Sequence, residues 1–116
     1  MSKVYLTQCG SFTARHGHGG TLAEAVHAHH FHYEVTFYGP TNAEGYLIDF
    51  RLLADTFQKE INEKLDDCDL GTFLKQPTTE ELAVWMYNRL NALLPHLFSV
   101  KVGEEPDRWI EYRGEN

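Results

Sequence analysis

An α+β fold, an antiparallel four-stranded sheet with two helices on one face, follows from three features of the chain. Two long alternating segments open it, two amphipathic helical segments fill its middle, and two short alternating segments close it. The order strand, strand, helix, helix, strand, strand joins its strands as hairpins, and hairpins pair antiparallel. Its 116 residues form one domain spanning 1–116.

The segment from His27 to Tyr38 is the clearest strand. Alternation places His27, His29, Phe31, Tyr33, Val35 and Phe37 on one side and Ala28, His30, His32, Glu34, Thr36 and Tyr38 on the other. The first set is the core face. Its outer end carries two imidazoles at i and i+2, the geometry that two strand-borne ligands of one metal need. Lys3 to His16 is the first strand, with Val4, Leu6, Phe12 and Ala14 on an apolar face that His16 ends. Gly17, Gly19 and Gly20 suit a loop, and Leu22 to Val26 a short helical turn. Antiparallel pairing then lays His16 beside His27 and His29. Three imidazoles converge, and three neutral ligands leave the open position typical of a catalytic metal. His30 and His32 face the other way, toward solvent or a neighbouring subunit.

Pro40 to Gly45 is a turn, and Tyr46-Leu47-Ile48 returns as a short extended piece. Asp49 is placed to cap a helix whose apolar positions are Phe50, Leu53, Ala54, Phe57, Ile61 and Leu65. Asp66 to Gly71 breaks that pattern. Asp66 and Asp67 have two readings: a pair sharing a raised pKa, able to donate a proton, or an acidic turn at a helix end. Thr78 and Glu81 stand at capping-box spacing before a second helix with Leu82, Trp85, Met86, Leu90 and Leu93, which Pro95 ends. Phe98, Val100 and Val102 line the apolar face of a third strand, and that face ends in Glu104. Glu105-Pro106-Asp107 turns into a fourth strand, Trp109 to Tyr112. With both helices on one side, the other side of the sheet and its edges need water-tolerant residues or a partner subunit.

A net charge of −7 argues against a nucleic-acid or anionic-membrane partner. A small anionic substrate could still meet Arg15 and His18. No apolar run approaches the ~20 residues of a membrane span, and Met1 to Tyr5 lacks a signal-peptide core, so a cytoplasmic location is expected. Cys9 and Cys68 lie far apart and read as free thiols.

The order of elements and the residues at their ends resemble the 6-pyruvoyltetrahydropterin synthase and 6-carboxytetrahydropterin synthase family over nearly the whole chain. Phe12-Thr13-Ala14-Arg15-His16 resembles the family's F-S-A-x-H, and His27-Ala28-His29 with Phe31 its H-G-H-x-[YF]. Tyr46 to Phe50 resembles the family's run into the first helix, Leu65-Asp66 the start of L-D-H-x-x-L-N, and Pro77-Thr78-Thr79-Glu80 its P-[TS]-[ST]-E. Glu104 with Tyr112-Arg113-Gly114-Glu115 resembles its C-terminal strand pair. The resemblance implies a tunnelling fold assembled into ring oligomers, usually a homohexamer built as a dimer of trimers, with active sites between subunits. It implies zinc on His16, His27 and His29, a pterin substrate anchored by Glu104, and Thr78, Thr79 and Glu80 near the pterin ring.

Three departures limit what carries over. The family's usual catalytic cysteine corresponds to Ala23, the histidine of L-D-H to Asp67, and H-G-H has become H-A-H. Glu24, however, makes Glu24-Ala25-Val26-His27-Ala28-His29 similar to the E-x-x-H-G-H form of the family's folate-pathway variant. In that variant a glutamate replaces the cysteine, and the side chain of dihydroneopterin triphosphate is cleaved to leave 6-hydroxymethyl-dihydropterin. Glu24 is thus the expected base, with Asp66 and Asp67 as further acid–base candidates. Three functions follow: a zinc-dependent pterin lyase of this kind, a 6-carboxy- or 6-pyruvoyl-tetrahydropterin synthase of the queuosine or biopterin route, or a member that binds pterin or metal without turnover.

Overall fold

The computed structural model of the chain describes residues 2–16 and 27–116. Strand β1 (Lys3–His16) and strand β2 (His27–Pro40) form a long hairpin. Helix α1 (Phe50–Phe57) runs through a π turn (Gln58–Asn62) into α2 (Glu63–Leu65). A 3-10 turn (Leu70–Thr72) leads to α3 (Thr79–Asn91), and β3 (Leu97–Glu105) and β4 (Arg108–Tyr112) complete an antiparallel sheet in the order β1-β2-β3-β4. The helices cover one face of it, as the sequence predicts. The helical turn expected at Leu22 to Val26 lies outside the described residues.

Alternation explains the core. Phe31, Val35 and Phe37 of β2 and Val100 and Val102 of β3 are fully buried against Ile61, Leu65, Leu82, Met86 and Leu90 of the helices. Asp49 caps α1 by accepting from Arg51 N at 2.8 Å, and Thr78 Oγ1 caps α3 by accepting from Glu81 N at 3.1 Å. Glu60 ties the helices together. Hydrogen bonds from Lys64 and then Arg89 hold its carboxyl below the ordinary carboxylate range.

Four details depart from expectation, each for a traceable reason. Leu53, Phe57, Ile61 and Leu65 are buried, whereas Phe50 and Ala54 face outward. A strict four-residue repeat drifts around an α-helix, and the wider π turn takes out that drift, so the buried stripe is narrower than the one expected. Tyr46 to Ile48 is a bend, not a strand. Asn42 folds the chain on itself there, its side chain accepting from Glu44 N at 3.0 Å and Tyr46 N at 2.9 Å. In the third strand a bulge interrupts pairing, Leu97 standing opposite Phe37 and Ser99 opposite Thr36. Phe98 is thereby turned away from Val100 and onto the outer face, with its ring centroid 5.7 Å from that of Tyr5 and 6.2 Å from that of Tyr38. Lastly, α3 ends at Asn91, and Leu94 is buried where Leu93 was expected.

Tyr33 is the most constrained polar residue in the sheet. It sits opposite Gly10, where an added Cβ would lie 2.2 Å from its hydroxyl, and it donates to Asn62 Oδ1 at 2.7 Å. Burial, and secondarily the neighbouring Cys9 thiol, push its phenol up to about 12. An unfolded chain ionises this group near pH 10, so its contribution to stability is complete below pH ~10 and is lost as pH rises toward 12. Urea unfolding of the parent at pH 8 and pH 11 should therefore show a loss to which Tyr33 contributes about 1–1.5 kcal/mol, half of its full effect, and that share is absent in Tyr33→Phe. The variant itself should lose roughly 1 kcal/mol at pH 8 by leaving Asn62 without its donor. An identical alkaline decline in both proteins would remove Tyr33 as its source.

Candidate functional site

One end of the sheet gathers most of the residues singled out from the sequence. The β1–β2 register pairs Ala14 with His29 and His16 with His27. Ala14 is fully buried on the helix side, so alternation assigns positions 16, 27 and 29 to that same face. The side chains of His16 and His27, and the whole of His18, Ala23 and Glu24, lie outside the described residues. His29 is described, and it is half-buried at the edge of the core beside Phe31.

Glu104 arrives at this end from β3, one residue beyond the pair His32 and Gly103. Its Oε2 lies 2.9 Å from His29 Nδ1, and its Oε1 accepts from Thr79 Oγ1 at 3.1 Å. One carboxylate thus connects β2, β3 and the first turn of α3. A carboxylate only accepts, so Nδ1 is the donor of this contact, and in the neutral tautomer of the ring Nε2 would carry the lone pair a metal needs. That arrangement fits a metal: three imidazole positions on one face, with the described ring oriented by a carboxylate behind it.

Beside Glu104 is a cavity of about 310 Å³ lined by Thr79, Glu80, Glu104, Arg108 and Trp109, among others. A second bulge shapes it. Val102 pairs with Ile110 and Glu105 with Arg108, which leaves Gly103 and Glu104 opposite Trp109. Gly103 is required here, because a Cβ would meet the Arg108 carbonyl at 2.9 Å and the Trp109 ring at 3.0 Å. Thr78, Thr79 and Glu80 fall where the sequence reading puts them, around the α3 N-terminus. Trp109 carries only a strand signal in the sequence and Arg108 none, and their lining role follows from the bulge, which no local pattern announces.

Asp66 and Asp67 belong to a different set of contacts. Asp66 Oδ1 accepts from Thr13 N at 3.0 Å, the Asp67 amide donates to the Thr13 carbonyl, and Arg15 N donates to the Cys68 carbonyl at 2.8 Å. Asp67, at a positive φ of 62°, also pairs with Arg15 at 3.1 Å and is largely exposed. The acidic turn therefore closes the free edge of β1 beside His16. Cys68 is a free thiol pushed up chiefly by burial, and Cys9 is free and exposed.

A profile of the family described as 6-pyruvoyl tetrahydropterin synthase matches residues 5–115. The chain belongs to that family. Curated relatives include the Drosophila melanogaster 6-pyruvoyl tetrahydrobiopterin synthase, 31% identical over 92% of this chain and 62% of its own length. The Pyrococcus furiosus dihydroneopterin monophosphate aldolase is 34% identical over 80% of each chain. An Archaeoglobus fulgidus protein described as a 6-carboxy-5,6,7,8-tetrahydropterin synthase is 30% identical over 89% of this chain and 90% of its own. The chain thus spans less than two thirds of the insect relative and most of the archaeal ones.

Among solved structures, the Caenorhabditis elegans 6-pyruvoyl tetrahydropterin synthase superposes with a TM-score of 0.87 at 20% identity, covering 99% of this chain and 98% of that one. A Plasmodium vivax 6-pyruvoyltetrahydropterin synthase, solved as a variant with a catalytic glutamate replaced by alanine, gives 0.79 at 17% identity over all of both chains. The sheet and its two helices are those of the tunnelling fold.

The edge contacts make a direct prediction. Asp66→Ala should speed amide hydrogen exchange at Thr13 and Arg15 and lower stability by about 0.5–1.5 kcal/mol, since water takes the place of the acceptor of the exposed Thr13 N–H. Unchanged protection at Thr13 would show that the turn does not hold the strand.

Proposed function

We propose that the chain is a zinc-dependent pterin lyase that acts on dihydroneopterin triphosphate and cleaves its side chain to leave 6-hydroxymethyl-dihydropterin. The observation that carries this reading is the position of Glu104, which borders a ligand-sized cavity on one side and touches His29 on the other. The two acceptor oxygens of a carboxylate match the paired N–H donors of an aminopyrimidinone edge. A pterin ring held there would send its 6-substituent toward the end of the β1–β2 hairpin, where His16, His27 and His29 are the metal ligands of this reading.

Glu24 is the proposed base. It stands three residues before His27, and three residues of chain reach at most about 11 Å in any conformation. Removing the proton from the second side-chain hydroxyl lets that carbon become an aldehyde while its bond to the first side-chain carbon breaks. The electron pair passes into the ring imine, and a proton returned to the first carbon gives the hydroxymethyl product and a phosphorylated glycolaldehyde. A divalent metal on the histidines would supply polarisation of the side-chain oxygens. Asp66 and Asp67 are already committed to β1 and Arg15, so this reading leaves proton transfer to Glu24.

The aldolase name of the Pyrococcus relative supports carbon–carbon cleavage on this framework, and the catalytic glutamate of the Plasmodium structure supports a carboxylate base. The names of the Drosophila and Archaeoglobus relatives favour a second reading, formation of a 6-pyruvoyl- or 6-carboxy-tetrahydropterin. A homohexameric ring is proposed as the working form, because it would cover the cluster of exposed Tyr5 and half-buried Tyr38 and Phe98 on the uncovered face.

Single-turnover assays with dihydroneopterin triphosphate and monophosphate, with products identified by mass, decide between these. Glu24→Gln should slow cleavage by on the order of 10²–10⁴ with pterin affinity retained, while Cys9→Ser and Cys68→Ser stay near the parent rate. A cysteine variant that abolishes turnover while Glu24→Gln remains active would overturn the assignment. Turnover to a tetrahydropterin would favour the synthase reading, and no turnover by any form a binding role.

A further inference from the structure

We propose that Glu104 is also a positioning residue for the metal, acting through His29, so that one carboxylate serves both the pterin edge and the metal site. The inference deepens the proposed function and rests on its assignment of His16, His27 and His29 as ligands. Three observations carry it. Glu104 Oε2 is 2.9 Å from His29 Nδ1, within the range of a charge-assisted hydrogen bond. Its other oxygen is held by Thr79 Oγ1 at 3.1 Å, at the first residue of a 13-residue helix. Third, Gly103 and the bulge opposite Trp109 determine where β3 presents Glu104.

The chemistry follows from the contact. A carboxylate on Nδ1 selects the tautomer whose lone pair is on Nε2, orients the ring and raises its basicity toward a cation. Each carboxylate oxygen has two acceptor directions, so one carboxylate is able to receive more donors than the His29 and Thr79 contacts supply. Glu80 and Glu105 line the same cavity, but the carboxylate that lies 2.9 Å from His29 Nδ1 is that of Glu104.

The test uses the full-length protein stripped of metal and titrated with Zn²⁺ and Co²⁺, with no substrate present. Glu104→Ala should raise the dissociation constant by 10–100-fold and alter the Co²⁺ ligand-field spectrum as the His29 ring loosens. Glu104→Gln, close in size and still an acceptor, should fall between that variant and the parent, and it serves if the alanine variant fails to fold in a thermal melt. Glu105→Gln should match the parent. Parent-like metal affinity and spectrum in both Glu104 variants, with pterin binding weakened, would overturn the proposal and leave Glu104 as a pterin anchor alone. A parent protein that binds neither ion tightly would instead bring down the three-histidine reading, and the proposal with it.

Discussion

The register of β2 is the constraint on which the site end of the molecule depends. In a strand a one-residue slip exchanges the two faces, which here would turn His29 and Phe31 outward and bring His30 and His32 into the core. Tyr33 and Gly10 resist that slip. The Tyr33 ring occupies the space a Cβ at position 10 would fill, and its hydroxyl reaches Asn62, whose amide donates to the Ser11 carbonyl at 3.1 Å. Two strands and the helical layer meet at one point, and the glycine is the only residue small enough to allow it. Asn62 is available because the π turn ends there, so the irregular turn serves the sheet as well as the helix's own buried stripe.

Local rules recovered what local interactions decide. The bounds of β1, the start of β2, the caps Asp49 and Thr78 and the buried positions Phe31, Val35, Val100 and Val102 could all be read from alternation and capping chemistry. What escaped the sequence depends on partners far along the chain. Phe98 continues the alternation of Val100 and Val102 in one dimension, and only its pairing with β2 reveals the bulge that turns it out. Phe50 and Ala54 continue the helical period, and only the sheet's demand for Ile61, Asn62 and Leu65 at their positions explains the π turn that excludes them.

The candidate site divides the same way. His29 and Glu104 were each visible as a polar residue ending an apolar strand face. Their contact was available in principle, because β2 and β3 are neighbours and their apolar faces end together at the margin of the helical layer. Trp109 and Arg108 carried no such signal, since the cavity they line exists only once the β3–β4 bulge has formed. Asp66 and Asp67 were open to an acid–base role or to a plain turn. Their bonds to Thr13 and Arg15 show an edge of β1 closed by side chain and backbone, which protects the strand that carries His16 from pairing elsewhere.

On the proposed reading, this layout separates holding the ring from breaking a bond. Glu104 stands on a paired strand and is braced by a helix N-terminus, whereas Glu24 belongs to the segment that connects β1 to β2. Connections vary more readily than the elements they join. On the proposed reading, the framework fixes where a pterin lies and the connecting segment decides which proton is taken from its side chain. A thiol and a carboxylate in that segment differ in charge at neutral pH, in reach and in softness toward a metal, so on that reading exchanging one for the other would change the bond that breaks without disturbing the ring's anchor. Ala23 and Glu24 would then mark a redirected chemistry on a retained grip, and the loss of a cysteine would be no evidence of a lost activity.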